Sequence, residues 1–285
     1  MPPSVKKAVI PAAGLGTRFF PITKAVPKEL LLVYDKPSIQ WIMEELMAAG
    51  IREVIFILSP GREMVFDYFQ KDPFLEKELK EKDKAHLLNN FERILDKIQF
   101  TKVYQERPLG LGHAILCAEP AVGDEPFIVV LPDDLIDGPY NVCLDFIEEY
   151  QKSHCSMVAV EKVDRAVIQD YGIVDAVPCG EQLLKVKGLV EKPDARHAPS
   201  NLGIVGRYLF TPEIFGYLDK IAKGKLGEIQ LTDAMSVMAG QEGLLAYEFV
   251  GKRLDIGSRS HWWWANLYFG LKDEKVKTRL RKEML

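Results

Sequence analysis

Along the chain, short apolar runs alternate with longer stretches in which apolar positions recur every three or four residues, the pattern of strands feeding helices. By this reading residues 6–11 form a first strand, 54–58 a second and 100–105 a third. Residues 127–131 are apolar almost throughout, as in a strand buried on both faces at a sheet centre, and 157–161 read as another strand. Helices are predicted at 38–49, with Ser38 capping the start and Gly50 ending it, and at 109–118, 227–239 and 261–271. The turn Ser59-Pro60-Gly61 leads into a further helix. Residues 74–98 are highly charged, and Leu87, Leu88, Phe91, Leu95 and Ile98 are spaced to share one face, so one solvated amphipathic helix is expected there. Residues 171–210 read as shorter strands and turns. The whole predicts an α/β fold on a parallel sheet, folded as one unit because no repeat or low-complexity linker interrupts it.

The first strand runs into Pro11-Ala12-Ala13-Gly14-Leu15-Gly16-Thr17-Arg18, followed by Lys24 and Pro27-Lys28-Glu29. Gly14 and Gly16 clear side chains from a loop that also carries three cations, which suits it to hold phosphates. It is neither of the common phosphate loops. Thr17-Arg18 stands where a P-loop needs Gly-Lys-Ser/Thr, and Phe19 stands where a dinucleotide fingerprint needs its third glycine. A second feature is Pro132-Asp133-Asp134 at the end of the 127–131 strand, where α/β sheets bind ligands. Asp255 follows another strand. A lone Asp at a strand end most often caps the next helix.

Composition narrows the partners. With 37 Lys and Arg against 41 Asp and Glu the net charge is −4, so neither nucleic acid nor an anionic membrane is expected as a bulk partner, and an anionic ligand must meet a local basic pocket. Cys117, Cys143, Cys155 and Cys179 show no C-x-x-C spacing and read as small buried hydrophobes in a reducing compartment. No apolar run is long enough to span a membrane and the N-terminus lacks a signal peptide's apolar segment, so a cytoplasmic protein is expected.

The glycine-rich loop resembles the signature of the sugar-phosphate nucleotidyltransferases. Further motifs follow in that family's order: Asp35-Lys36-Pro37, the run 104–114, Gly123-Asp124-Glu125-Pro126-Phe127, Tyr171-Gly172-Ile173-Val174, Glu191-Lys192-Pro193, Ser200-Asn201-Leu202, the run 227–234 and Gly251-Lys252-Arg253. The resemblance spans roughly residues 7–271. It implies a Rossmann-like three-layer α/β/α fold with a mixed, mostly parallel central sheet. Within a single domain, 1–285, it places a nucleotide half at about 1–135, a sugar half at about 136–257 and a C-terminal helical segment at about 258–285.

The resemblance further implies UTP and glucose 1-phosphate as substrates, with Mg²⁺ as cofactor and a homo-oligomer, dimer or tetramer, as the assembly. Arg18, Lys28 and Lys192 are carried over as catalytic cations. Ala12, Ala13, Gly14, Glu29, Gln105 and Gly110 are carried over to the nucleotide, the Gln105 amide suiting an edge of uracil. Gly172, Glu191 and Lys192 fall to the sugar phosphate. Asp133 and Asp255 match the family's metal-binding aspartates, whereas Asp134 matches no ligand. No Ser-His-Asp set is apparent or needed, since the sugar phosphate is itself the nucleophile. His113 is read as structural. Asn201 is either a polar contact or a turn residue. A thymidine triphosphate-using member of the family and a catalytically weak regulatory paralogue stay open as alternatives. The chain departs from the family at Leu32, at Ser258-Arg259 and at Trp262-Trp263-Trp264, a run read as core plus partly covered surface or as an oligomer contact.

Overall fold

The structure, a computed structural model, describes residues 4–222, 224 and 227–284. Its strands are β1 Lys7–Pro11, β2 Leu32–Val33, β3 Lys36–Pro37, β4 Glu53–Leu58, β5 Gln99–Tyr104, β6 Phe127–Val130, β7 Asp134–Asp137, β8 Met157–Lys162, β9 Gly172–Pro178, β10 Leu183–Glu191, β11 Leu202–Phe210, β12 Leu245–Glu248 and β13 Lys252–Asp255. Nine of them form one sheet in the order β5-β4-β1-β6-β11-β8-β12-β10-β9. The β5-β4-β1-β6 side is parallel, and β12 also runs parallel to β8. β11 lies antiparallel to both β6 and β8, and the β9–β10 hairpin closes the far side.

Period-two alternation divides the central strands between two cores. Ala8 and Ile10 of β1, Val54, Phe56 and Leu58 of β4, and Ile128 and Val130 of β6 pack with Ile39, Ile42, Met43 and Leu46 of the helix Ser38–Ala48 and with Phe146 of the helix Val142–Ser153. Val9, Ile55, Ile57, Phe127 and Val129 face the opposite side, against helices Leu111–Leu116, Glu213–Leu218 and Leu231–Gln241. Helices on both faces explain why these strands read as unbroken apolar runs. Arg207 of β11 is buried in the first core and is held by Glu45 of the helix Ser38–Ala48 at 2.7 Å.

Three local expectations fail. Ser38 does not cap its helix: Pro37 occupies the cap position, and the Ser38 hydroxyl donates instead to the Glu29 carbonyl at 3.0 Å. Gly50 does end the helix region, with φ of 89°. The stretch 74–98 is not one helix. It breaks at Asp83, whose φ is 56°, into Pro73–Glu81 and Asn89–Lys97, leaving Leu87 exposed and burying Leu88 and Ile94. The helix expected at 227–239 begins at Leu231, after an extended segment. The C-terminal helix spans Arg259–Gly270, and a second helix, Glu274–Met284, follows it.

Outside the large sheet, β7 and β13 pair antiparallel with Asp134 opposite Asp255. The Ile256 amide donates to the Asp133 carbonyl at 2.8 Å and extends the ribbon by one rung. Two sequence segments more than a hundred residues apart are thereby brought to one place at the C-terminal ends of β1 and β6.

Candidate active site

The loop after β1 is shaped by its glycines and anchored by its neighbours. Gly16 takes φ of 63°, and a Cβ there would lie 2.9 Å from Thr23 Cγ2. The Thr23 hydroxyl donates to the Gly16 carbonyl at 2.9 Å. The Arg259 guanidinium donates to the Arg18 carbonyl at 3.1 Å and to the Phe20 carbonyl. Ser258 caps that helix, its Oγ accepting from the His261 amide at 3.3 Å. The Ser258-Arg259 departure from the family pattern is thus used for a helix cap and a loop clamp.

Asp133, Asp255 and Arg18 converge around Gly257. A Cβ at Gly257 would lie 3.0 Å from Asp255 Oδ1, 3.4 Å from Arg18 Nη1 and 3.5 Å from Asp133 Oδ2. Lys28 Nζ donates to Asp133 Oδ2 at 2.6 Å. Burial pushes the Asp133 carboxyl up, but the Lys28 ammonium, a backbone hydrogen bond and the Arg253 charge together outweigh it and hold the group below its ordinary value. Burial likewise opposes the Lys28 charge, and Asp133 and Glu29 overcome that and raise it. Asp255 Oδ1 accepts from the Gly257 amide at 2.6 Å, and Oδ2 lies 3.3 Å from His261 Nδ1. Among the described residues no group of three or more His, Cys, Asp or Glu could hold a metal by itself.

Asp134 is spent inside the protein. Oδ2 accepts from the Gly206 amide at 3.0 Å and Oδ1 from Arg253 Nε at 2.6 Å. Burial raises its carboxyl, against the pull of Arg253. Arg253 also donates to Glu161 at 3.2 Å and to the Tyr171 hydroxyl at 2.8 Å, and it lies 3.9 Å from Asp255. It therefore ties the aspartate ribbon to β8 and to the start of β9, a role that sequence reading missed. The signal available was the Asp133-Asp134 doublet itself: of two adjacent carboxylates on a strand end one faces inward, a buried carboxylate requires a cation, and Arg253 stood in an already noted motif. Glu29 is 2% exposed behind Lys28, and its Oε1 has no hydrogen-bond partner among the described residues. Burial pushes its carboxyl up to about 7, against the opposing pull of Lys28.

Two cavities adjoin here, sharing Gly110, Leu111, Leu131 and Glu228. The larger, about 820 Å³, carries Arg18, Gly172, Glu191, Lys192 and Asp255 on its wall. Glu191 Oε2 accepts from the Thr232 hydroxyl at 2.6 Å. Gly172 makes room for this pair: a Cβ there would lie 3.2 Å from Glu191 Oε2, 3.3 Å from Thr232 Oγ1 and 2.9 Å from Ile204 Cδ1. Lys192 has φ of 46°, a left-handed conformation that side chains rarely adopt outside functional or turn sites. Its Nζ lies 3.6 Å from Glu191 Oε1 and the side chain stays 61% exposed, free to meet a ligand.

The smaller cavity, about 290 Å³, is lined by Ala13, Gly14, Lys28, Gln105 and Asp133 among others. Ala12 is buried behind it, with its amide donating to the Ile57 carbonyl at 2.8 Å. Gly14 has open space beside it, whereas Gly110, with φ of 93°, is pressed against Glu228 and Ile229: a Cβ would lie 2.9 Å from the Ile229 carbonyl oxygen. Asn201 is occupied locally, its backbone carbonyl accepting from the Val163 amide at 2.9 Å. Lys24 lies away from both cavities, in an apolar groove with Phe20, Ile22 and Trp263. Of the three tryptophans Trp262 is anchored, donating to the Leu32 carbonyl at 2.9 Å, while Trp263 and Trp264 are exposed.

The family described as Nucleotidyl transferase matches residues 7–269. A UTP–glucose-1-phosphate uridylyltransferase of Bacillus subtilis (strain 168) is 42% identical over 276 residues, 97% of this chain and 94% of that protein. A crystal structure of apo UDP-glucose pyrophosphorylase superposes with a TM-score of 0.91 at 40% identity, covering 94% of this chain and 99% of that one. A UDP-glucose pyrophosphorylase complexed with UDP-glucose gives 0.87 at 39% identity, covering 94% and 100%.

Proposed function

The chain belongs to the nucleotidyl transferase family, and we propose that it joins UTP to glucose 1-phosphate, forming UDP-glucose and pyrophosphate. The observation that carries this reading is the meeting of the two cavities beside Asp133, Asp255, Arg18 and Lys28, one wide enough for a sugar phosphate and the other bordered by a base-sized edge at Gln105. It acts as one domain, with the nucleotide on the β1–β6 side and the sugar on the β9–β11 side.

Bringing a sugar phosphate against a triphosphate is opposed by charge. Two unit charges about 4 Å apart repel by roughly 4 kcal/mol at an effective dielectric of 20. Arg18 and Lys28 on the triphosphate and Lys192 on the sugar phosphate offset that repulsion and hold the partners for in-line displacement. An oxygen of the sugar phosphate forms the new bond to the α-phosphorus, and the bond from that phosphorus to the bridging oxygen breaks, releasing pyrophosphate. The nucleophile is ionised at neutral pH, so no protein base is required.

Asp133 and Asp255 are hard oxygen donors on either side of Gly257, and their number suits a cation that keeps water and phosphate oxygens in its shell, as Mg²⁺ does. Bound there, Mg²⁺ would neutralise triphosphate charge and stabilise the charge of the transition state. Lys28 keeps Asp133 ionised for that role. The exposed Trp263 and Trp264 support a homo-oligomer, dimer or tetramer, and the absence of a long apolar helix among the described residues fits a cytoplasmic enzyme.

The test is pyrophosphate release over a grid of nucleoside triphosphates and sugar 1-phosphates with Mg²⁺. UTP with glucose 1-phosphate should lead, dTTP should follow, and ATP and GTP should be poor. A preference for dTTP would move the enzyme to the thymidylyl branch, and no turnover with any pyrimidine nucleotide would favour a regulatory paralogue.

A further inference from the structure

Gln105 follows β5 directly, is 7% exposed and borders the smaller cavity. Its Nε2 lies 3.0 Å from the Gly110 carbonyl oxygen and 3.0 Å from His113 Nδ1. The Gly110 oxygen can only accept, so the amide atom facing it is the nitrogen. Once the nitrogen is placed there, His113 Nδ1 has to accept as well, which puts the ring proton on Nε2. The Cys117 thiol, 3.8 Å from the same Nδ1, is a weak donor and is consistent with that tautomer. Both Gln105 N–H bonds are then engaged, and the carbonyl oxygen is what the side chain has left to offer a ligand.

We propose that His113 is a positioning residue for base selection: it locks the Gln105 amide so that its carbonyl oxygen is presented to the base. The proposal rests on the smaller cavity being the base site. An amide free to rotate would serve a donor or an acceptor equally. A locked oxygen accepts from the N3–H of uracil or thymine, and it opposes cytosine, which carries a lone pair at N3. The lock therefore separates UTP from CTP but not UTP from dTTP.

The test uses two variants. His113→Leu removes the acceptor at similar bulk, and His113→Asn restores one, because Oδ1 of Asn hangs from Cγ as Nδ1 of His does. In His113→Leu the ratio of kcat/KM for UTP over CTP should fall on the order of tenfold, through KM for the nucleotide, with UTP and dTTP losing together. His113→Asn should recover most of the ratio. An unchanged ratio in His113→Leu overturns the proposal. If that variant does not fold, long-range proton–nitrogen NMR of the histidine rings in the wild-type protein decides, with His113 assigned by its loss in His113→Asn. A bare Nδ1 supports the lock and a protonated Nδ1 refutes it. If the wild-type enzyme used no pyrimidine nucleotide, the functional reading would fall, and the tautomer measurement would still judge the lock by itself.

Discussion

Replacing Glu29 by Gln should stabilise the ligand-free protein, by an amount that grows with pH. The carboxyl is 2% exposed, its Oε1 has among the described residues no hydrogen bond and only the Lys28 ammonium 4.0 Å away, and burial pushes it up from 4.5 to about 7. Between those values the folded chain holds a proton that the unfolded chain has released. Stability therefore falls as pH rises through the window, the reverse of a salt-bridged carboxylate. About 2.5 pH units at about 1.4 kcal/mol each gives roughly 3 kcal/mol lost by pH 8. The amide of Gln does not titrate in either state, so the difference between the two proteins isolates Glu29. Urea unfolding of both, without nucleotide, at several pH values from 4.5 to 8 measures it. The gap should sit at its baseline near pH 4.5 and widen by about 3 kcal/mol in favour of Gln at pH 8. A gap that stays constant over that range would show that Glu29 ionises in the fold as it does in water, and the argument would fail.

Asp133→Asn and Asp255→Asn should each lower turnover by orders of magnitude, with the double variant little worse than either single, because groups serving one ion are non-additive; losses that simply multiply in steady-state kinetics would separate the two carboxylates. Raising Mg²⁺ should partly rescue the singles. Lys192→Ala should raise KM for glucose 1-phosphate far more than it weakens UTP binding, and Lys28→Ala the reverse, which initial rates together with UTP titration calorimetry can resolve. Gly172→Ala should raise KM for the sugar phosphate several-fold by displacing Glu191 from Thr232, and a wild-type KM in that variant would remove Gly172 from the sugar site.

Much of the layout was legible because the central strands obey one simple pattern. Residues 127–131 read as a doubly buried strand, and β6 is one, with Phe127 and Val129 in one core and Ile128 and Val130 in the other. Asp133 and Asp255 were legible as separate strand ends, but nothing in the pattern said that β7 and β13 would pair and bring them to Gly257. That register is tertiary, as is the attachment of Arg253 to Asp134. The stretch 74–98 misled for the opposite reason. Its helical spacing is real on either side of Asp83, yet no Gly or Pro marks the break, and the one trace is the Asp itself, a residue type that visits the left-handed conformation but does so too rarely to end a helix on sight. Ser38 was placed one residue too early in its own helix, because Pro37, fixed in φ, takes the boundary and frees the hydroxyl for the Glu29 carbonyl. The glycines were legible as sites of close approach, but not what approaches: side chains at Gly172, backbone at Gly110.

The clamp between the first loop and the last sheet-packed helix has a consequence during synthesis. Arg18 reaches the Gly257 carbonyl across 239 residues, Arg259 closes on the Arg18 carbonyl, and the Tyr34 amide donates to Asn266 across 232. At about 5–20 residues per second the ribosome needs roughly 10–50 s to deliver these later partners. Throughout that interval the nascent chain carries its glycine-rich loop with the Thr23 hydroxyl in place but without these C-terminal contacts. The segment made first is then the last to be finished, so an incomplete chain reaching only to the end of β12 would have all nine strands of its large sheet and no assembled phosphate site.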